Sequence, residues 1–397
     1  MTKITILDST LREGAQSESI SFSDSDKISI LQLLDKLGID FAECGNPSAN
    51  EKDLRFFNKL TNIKFNKLKV VPFGSTCRKN TPAYKDTGLI ALLGANTEYV
   101  TIFGKSSLLH VTDVLKVSKA ENLRMIEESI KFLTDKRKRV FYDAEHFFDG
   151  YKFNKEYAIE TLRAASKGGA EILVLCDTNG GSFPNEIEEI YKVVANTFSN
   201  KKIGIHCHND CGLAIANTLV GINNGAFQAQ CTVGGIGERC GNADLCTLLP
   251  ILQLKMGFKL VSDEQLTMLT RISRNIFELL NISLSPRAPF IGKSAFAHKG
   301  GMHIDGVLKN SSSFEHIEPH LVGNQRRILI SDQSGKTSVY TKLKGLIPNI
   351  DRNSEEVQII TDMIKKHSQY GYSYENADAS FEIDALKALG MESNYFK

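Results

Sequence analysis

Residues 171–210 read EILVLCDTNGGSFPNEIEEIYKVVANTFSNKKIGIHCHND, and this stretch decides the fold class. It opens with an apolar, β-branched run (171–179) that ends in Asp177, Thr178 and Asn179. A segment with apolar residues three and four apart follows over 185–198, the period of a helix with one buried face. A second apolar run, 202–209, ends in His206, His208 and Asn209. Strand, helix and strand in this order imply parallel strands joined by a right-handed crossover.

The same alternation extends in both directions. Strand patterns occur at 3–10, 40–45, 68–74, 99–105, 139–147 and 226–235, with a further helical pattern at 25–38. With the two strands of the opening stretch, the count is eight. Eight strand–helix units within about 250 residues predict a closed (β/α)8 TIM barrel, with an open doubly wound sheet as the competing architecture. Most of these strands end in polar residues: Asp8, Glu43, Glu145, Asp177, His206 and His208. Barrel enzymes build their sites at those C-terminal strand ends. After an amphipathic segment at 263–281 the texture changes. LSPRAPFIGKSAFAHKGGMH (284–303) is rich in Pro, Gly and Ala and reads as an extended linker or flap, followed by a charged helical tail. The expected division is a catalytic barrel over 1–281 and a smaller, mainly helical C-terminal region over 282–397.

Composition narrows the function classes. Of the 397 residues, 48 Lys and Arg nearly cancel 46 Asp and Glu, so no net field draws in nucleic acid or an anionic membrane. The densest basic run, DKRKR (135–139), reads as a solvated helix end. No apolar run approaches the roughly 20 residues that span a bilayer, and the N-terminus lacks the apolar core of a signal peptide. The eight cysteines are scattered, several inside apolar strands, as reduced thiols of a cytoplasmic protein would be.

Four segments carry candidate chemistry. In HCHND (206–210), side chains on a strand alternate faces, so His206 and His208 project together and Cys207 projects the other way. Two imidazoles at a barrel mouth suit Zn, Mn, Fe or Ni; the alternative is a pair of hydrogen-bonded core histidines. Cys211 is assigned to the start of the next helix. In LDSTLREGAQ (7–16), Arg12 and Glu13 fall in the first strand-to-helix loop. There a carboxylate completes a two-histidine set and a guanidinium faces a developing oxyanion. TVGGIGERCGNADL (232–245) follows the last strand and lacks dinucleotide spacing; it is either an anion-binding loop or a tight turn with Asn242 as helix N-cap. HKGGMHID (298–305) places His298, His303 and Asp305 in a Gly-rich loop, as surface residues or as a flap reaching an active site.

Together with FAECGNP, FGSTCRKN, TIFGKS, YDAEHFFDGY and LCDTNGG, these segments resemble the DRE-TIM metallolyase superfamily over nearly the whole chain. Within it the chain is most similar to the 2-isopropylmalate, homocitrate and citramalate synthases, and among these to the bacterial-type (R)-citramalate synthase branch. The resemblance implies a Claisen condensation of acetyl-CoA with a 2-oxo acid. Pyruvate is the expected acceptor, giving (R)-citramalate and CoA in isoleucine biosynthesis. A 2-isopropylmalate or homocitrate synthase, a carbon–carbon lyase and a catalytically inactive scaffold are the alternatives. The resemblance also implies a divalent ion (Mg, Mn, Zn or Co) on Glu13, His206, His208 and Asn242. It implies that Arg12 polarises the 2-oxo acid and that Glu43 holds Arg12 in place. Thr178 would bind the substrate carboxylate and Glu145 would lie near the acetyl methyl. Phe73, Leu92 and Leu93 would give the acceptor site an apolar lining, with Arg78 and Lys79 nearby and Asp305 a further substrate contact. His303 would assist from the partner subunit of a homodimer with exchanged C-terminal regions. The general base stays open among Glu145, His303 and a metal-assisted water. The sequence departs from the family pattern at Glu13, Cys77 and Ser107, where aspartate, arginine and tryptophan are usual. No C-terminal regulatory domain is recognised, so no inhibition by isoleucine or leucine is expected.

Overall fold

The computed structural model describes residues 3–49 and 51–391. The chain divides into two compact units, Met1–Leu284 and Ser285–Lys397. In the first unit, nine parallel segments form the sheet: β1 (Thr5–Asp8), β2 (Phe41–Glu43), β3 (Lys69–Val71), β4 (Phe73–Ser75), β5 (Tyr99–Lys105), β6 (Arg139–Glu145), β7 (Ile172–Asp177), β8 (Lys202–Cys207) and β9 (Gln228–Cys231). Their order is β3-β2-β1-β9-β8-β7-β6-β5-β4. The two ends of that order, β3 and β4, are halves of one strand divided at Pro72. The sheet is therefore a closed barrel, not the doubly wound alternative.

The division has a local cause. Proline has no N–H to offer a ladder, so the strand changes partner around it. The amide of Phe73 donates to the Gly45 carbonyl on the β2 side, at 3.0 Å. The Pro72 carbonyl accepts from the Thr101 amide of β5, at 2.9 Å. The eight strands expected from sequence are thus nine segments, with 68–74 split and extended to Ser75.

Helices cover the outside of the barrel: α1 (Asp24–Leu37), α2 (Glu51–Leu60), α3 (Thr87–Gly94), α4 (Lys119–Asp135), α5 (Phe147–Phe153), α6 (Lys155–Gly168), α7 (Pro184–Thr197) and α8 (Ala214–Asn223). Local chemistry sets their ends. Ser23 and Asp26 form a reciprocal capping box at the start of α1, and Gly38 (φ 86°) ends it in the left-handed conformation. Pro184 occupies the first turn of α7, where its missing N–H costs nothing.

All six residues of β7 are buried, which explains the unbroken apolar run in the opening stretch. Ile172, Val174 and Cys176 join Leu7, Val71, Tyr99 and Phe141 in one core cluster, and the ring of Phe41 packs edge-on against Tyr99 and Phe141 at 4.9 and 5.2 Å. Both faces of a parallel strand are covered, so its sequence does not alternate. Each large apolar side chain buried this way contributes roughly 1.5–3 kcal/mol.

The second unit packs helices Lys336–Leu343, Glu355–Gln369 and Asp378–Ala388 around Val339, Leu343, Ile360, Ile364 and Phe381. Two short strands, Ala297–His298 and Arg327–Ile328, pair in parallel. The stretch expected to be a Gly-rich loop is instead partly regular: His303 and Asp305 lie on a helix, Gly301–Lys309. Among the described residues, no helix is long and apolar enough to cross a membrane.

Candidate active site

The C-terminal strand ends converge on a cavity of about 180 Å3 lined by Arg12, Glu13, Phe73, Phe103, Asp143, Glu145, Thr178, His206 and His208, among others. Seven of the candidates named from sequence therefore meet in one place. His206 and His208 do so because the strand period sends both inward from the end of β8. Cys207 between them is fully buried and faces the Thr218 side chain on α8, so it is no ligand to this cavity. Cys211 is exposed and lies in the turn before α8, which begins only at Ala214. The first helical turn expected there is absent.

Glu13, His206 and His208 each present a ligand atom, all within 4.8 Å of one another, and all three residues are buried. The Glu13 carboxylate is held below its ordinary range. Burial pushes it up, but the charge of Arg12 and its hydrogen bond to the carboxylate outweigh burial. Burial pushes both imidazoles the other way, His208 to about 4 with the neighbouring His206 adding to the effect. At neutral pH the site therefore holds one carboxylate and two neutral imidazoles, the protonation states that metal ligation requires.

Asn242 completes the arrangement. It forms an isolated antiparallel bridge with His208, and its amide nitrogen donates to His206 Nε2 at 3.2 Å. Its Oδ1 and the Nδ1 of His208 are buried without a hydrogen-bond partner. Unpaired buried polar atoms are costly, and two of them beside a carboxylate and an imidazole fit a divalent cation. The glycines of GGIGERCG make room for this side chain. A Cβ on Gly237 would lie 2.0 Å from Asn242 Oδ1, and one on Gly241 (φ 83°) would lie 1.9 Å from the Gly235 carbonyl. The N-cap alternative for Asn242 is not what forms: Asp244 caps the following helix, accepting from the Cys246 amide.

Arg12 lies beside this set, in contact with Glu13. Its Nε donates to Glu43 Oε2 at 2.6 Å, Nη1 donates to Glu13, and the guanidinium lies 3.8 Å over the Phe73 ring. Burial alone lowers its pKa, but the charges of Glu13 and Glu43 raise it further, so the guanidinium is permanently charged. Glu43 is fully buried at the end of β2 and also accepts from Ser9 Oγ at 2.8 Å. Phe73 stacks on Phe103 with centroids 5.2 Å apart. Phe103, rather than Leu92 or Leu93, supplies the second apolar wall, because Leu92 is buried beneath Gly74 on α3. Arg78 and Lys79 do not line the cavity; the Arg78 amide donates to Asp86.

Glu145 ends β6 and is ion-paired with Lys105, its register partner on β5. Thr178 follows β7, and its Oγ1 accepts from the His146 amide at 2.8 Å. That leaves the hydroxyl hydrogen free to donate into the cavity. His303 and Asp305 belong to the second unit, where the His303 ring stacks on Phe314 and Asp305 pairs with Lys309. Sequence reasoning missed Asp143, Phe103, Gln230 and Lys105. The period-two rule applied backwards from Glu145 finds Asp143 on the same strand face.

The chain matches the HMGL-like family model over residues 3–276 and the homocitrate synthase post-HMGL domain-like model over residues 290–371. It is 48% identical over 394 residues to (R)-citramalate synthase of Aquifex aeolicus, covering 99% of this chain and 75% of that one. Against (R)-citramalate synthase of Synechocystis it is 46% identical, covering 100% and 74%. A probable 2-isopropylmalate synthase of Methanosarcina mazei is 30% identical, covering 99% and 73%. Among solved structures, the Bacillus subtilis HMG-CoA lyase superposes with a TM-score of 0.61 at 19% identity, covering 72% of this chain and 96% of that one. This last likeness concerns the barrel fold alone.

Proposed function

The chain belongs to the HMGL-like family, and from that premise we propose that it condenses acetyl-CoA with pyruvate to give (R)-citramalate and CoA. The observation that carries the reading is the Glu13, His206 and His208 cluster with the Arg12 guanidinium directly beside it, lining a cavity of about 180 Å3. Glu13, His206, His208 and Asn242 would hold a divalent ion, which when bound supplies Lewis-acid polarisation of the ketone.

The chain's own groups account for the rest. Arg12 donates N–H bonds to the oxygens of the 2-oxo acid, braced from behind by Glu43. Thr178 donates its hydroxyl to the carboxylate while accepting from the His146 amide. Phe73 and Phe103 enclose the acceptor's methyl group. Among the described lining residues, Arg12 is the only lysine or arginine, and the carboxyl groups of Glu145 and Glu238 also line the cavity. A distal carboxylate such as that of 2-oxoglutarate would meet repulsion there, which favours pyruvate over longer dicarboxylic acceptors. Glu145, whose carboxylate is ion-paired with Lys105, would take a proton from the acetyl methyl. The resulting enolate attacks the ketone carbon, the ketone oxygen takes up a proton to become the product hydroxyl, and water then hydrolyses the thioester to a carboxylate and releases CoA.

The reading also includes a homodimer with exchanged C-terminal regions, to which His303 and Asp305 would contribute, and a place in isoleucine biosynthesis. A thiol-release assay with pyruvate, 2-oxoisovalerate and 2-oxoglutarate tests the acceptor. Preference for either of the last two would replace the citramalate reading.

A further inference from the structure

His206 can serve as a ligand through Nε2 only if the proton of its neutral ring sits on Nδ1. Gln230 on β9 is the register partner of His206 on β8, and both side chains are turned into the barrel. Gln230 Oε1 lies 2.7 Å from His206 Nδ1, and Gln230 Nε2 donates to Asp143 Oδ1 at 3.0 Å. The amide is therefore oriented at both ends. Its nitrogen is committed to a carboxyl oxygen, so its oxygen faces the imidazole and can only accept. His206 then donates from Nδ1, and its Nε2 accepts from the Asn242 amide at 3.2 Å and lies 3.8 Å from Glu13 Oε1. His206 is 5% exposed, Gln230 1% and Asp143 4%, so all three groups are buried.

We infer that Gln230 is a positioning residue for the metal site, fixing the tautomer and ring plane of His206 while its own orientation is fixed by Asp143. The inference rests on the metal reading of the preceding subsection and adds a residue to it. Asp143 forms part of the cavity wall, so the chain from Asp143 through Gln230 to His206 connects the acceptor pocket to the ligand set. Partners of this kind behind a ligating imidazole are worth about 10- to 100-fold in metal affinity.

The test is Mn2+ titration of metal-stripped protein, read by the loss of the free-ion electron paramagnetic resonance signal, with metal-free Tm measured alongside. Gln230→Leu removes both hydrogen bonds and is expected to weaken Mn2+ binding about 10- to 100-fold. Gln230→Glu keeps an acceptor for Nδ1–H and is expected to restore binding to near the wild-type value. Gln230→Met serves as a second apolar variant should the leucine form fail to fold. Wild-type affinity in Gln230→Leu, or equal losses in the leucine and glutamate forms, would overturn the inference and leave the metal site intact. Wild-type protein that takes up no Mn2+ would refute the metal reading, and this inference with it.

Discussion

Replacing Glu43 by glutamine tests how the guanidinium of Arg12 is aimed. Glu43 Oε2 takes two donors, Arg12 Nε at 2.6 Å and Ser9 Oγ at 2.8 Å, inside a fully buried environment. Glutamine keeps the shape but removes the charge, and it turns one end of the side chain from acceptor to donor. A hydrogen bond to a charged group contributes about 1.5–3 kcal/mol. At about 1.4 kcal/mol per tenfold, its loss lowers kcat/KM for the 2-oxo acid by about 10- to 150-fold. Arg12 keeps its contacts with Glu13 and Phe73, so the barrel should still fold and bind metal. Steady-state thiol release at saturating acetyl-CoA, varying pyruvate, gives the ratio, and the KM for acetyl-CoA serves as the internal control. If kcat/KM for pyruvate stays within about twofold, less than about 0.5 kcal/mol, Glu43 does not position Arg12 and the reasoning fails.

Three further outcomes are expected. His208→Ala should lose stoichiometric metal by elemental analysis together with acceptor-dependent CoA release; full retention of both would remove His208 from the ligand set. Gly241→Ala forces a Cβ against the Gly235 carbonyl at positive φ, which costs on the order of 1–3 kcal/mol and displaces Asn242; a lower Tm and weaker metal binding follow, and an unchanged Tm would contradict the packing described. Asp8 is buried, and burial pushes its carboxyl up to about 7 from an ordinary 3.8. The folded state therefore holds a proton that the unfolded chain has released between about pH 4 and pH 7. Stability falls as pH rises through that window, with a ceiling on the order of 4 kcal/mol from this group. Asp8→Asn should flatten the difference between urea midpoints at pH 5 and pH 8, and an unchanged difference would show that Asp8 is not its source.

The opening stretch was informative because β7 and β8 are buried on both faces, and continuous apolar runs around a helical period survive any tertiary context. His206 and His208 were legible for the same geometric reason, since period two leaves no choice about which side of Cys207 they take. The strand at 68–74 hid its division because Pro72 acts through a ladder partner, and partners are not written in a single strand. Leu92 fitted the composition of an acceptor wall but is spent packing under Gly74, while Phe103 projects from mid-strand into the cavity. Gln230 carried no signal at all. An amide in a strand gains its meaning from the residue opposite on β8 and from a carboxyl on β6, and both depend on barrel closure.

The central claim is that the Glu13, His206 and His208 cluster supports metal-dependent condensation of acetyl-CoA with pyruvate. The most direct measurement is product identification by mass spectrometry and chiral chromatography, before chelation, after it and after return of Mn2+. The account predicts (R)-citramalate from the untreated protein, none after chelation, and recovery with the ion. Citramalate formation that is indifferent to chelation in demonstrably metal-free protein would contradict it, as would no product from pyruvate under any divalent ion.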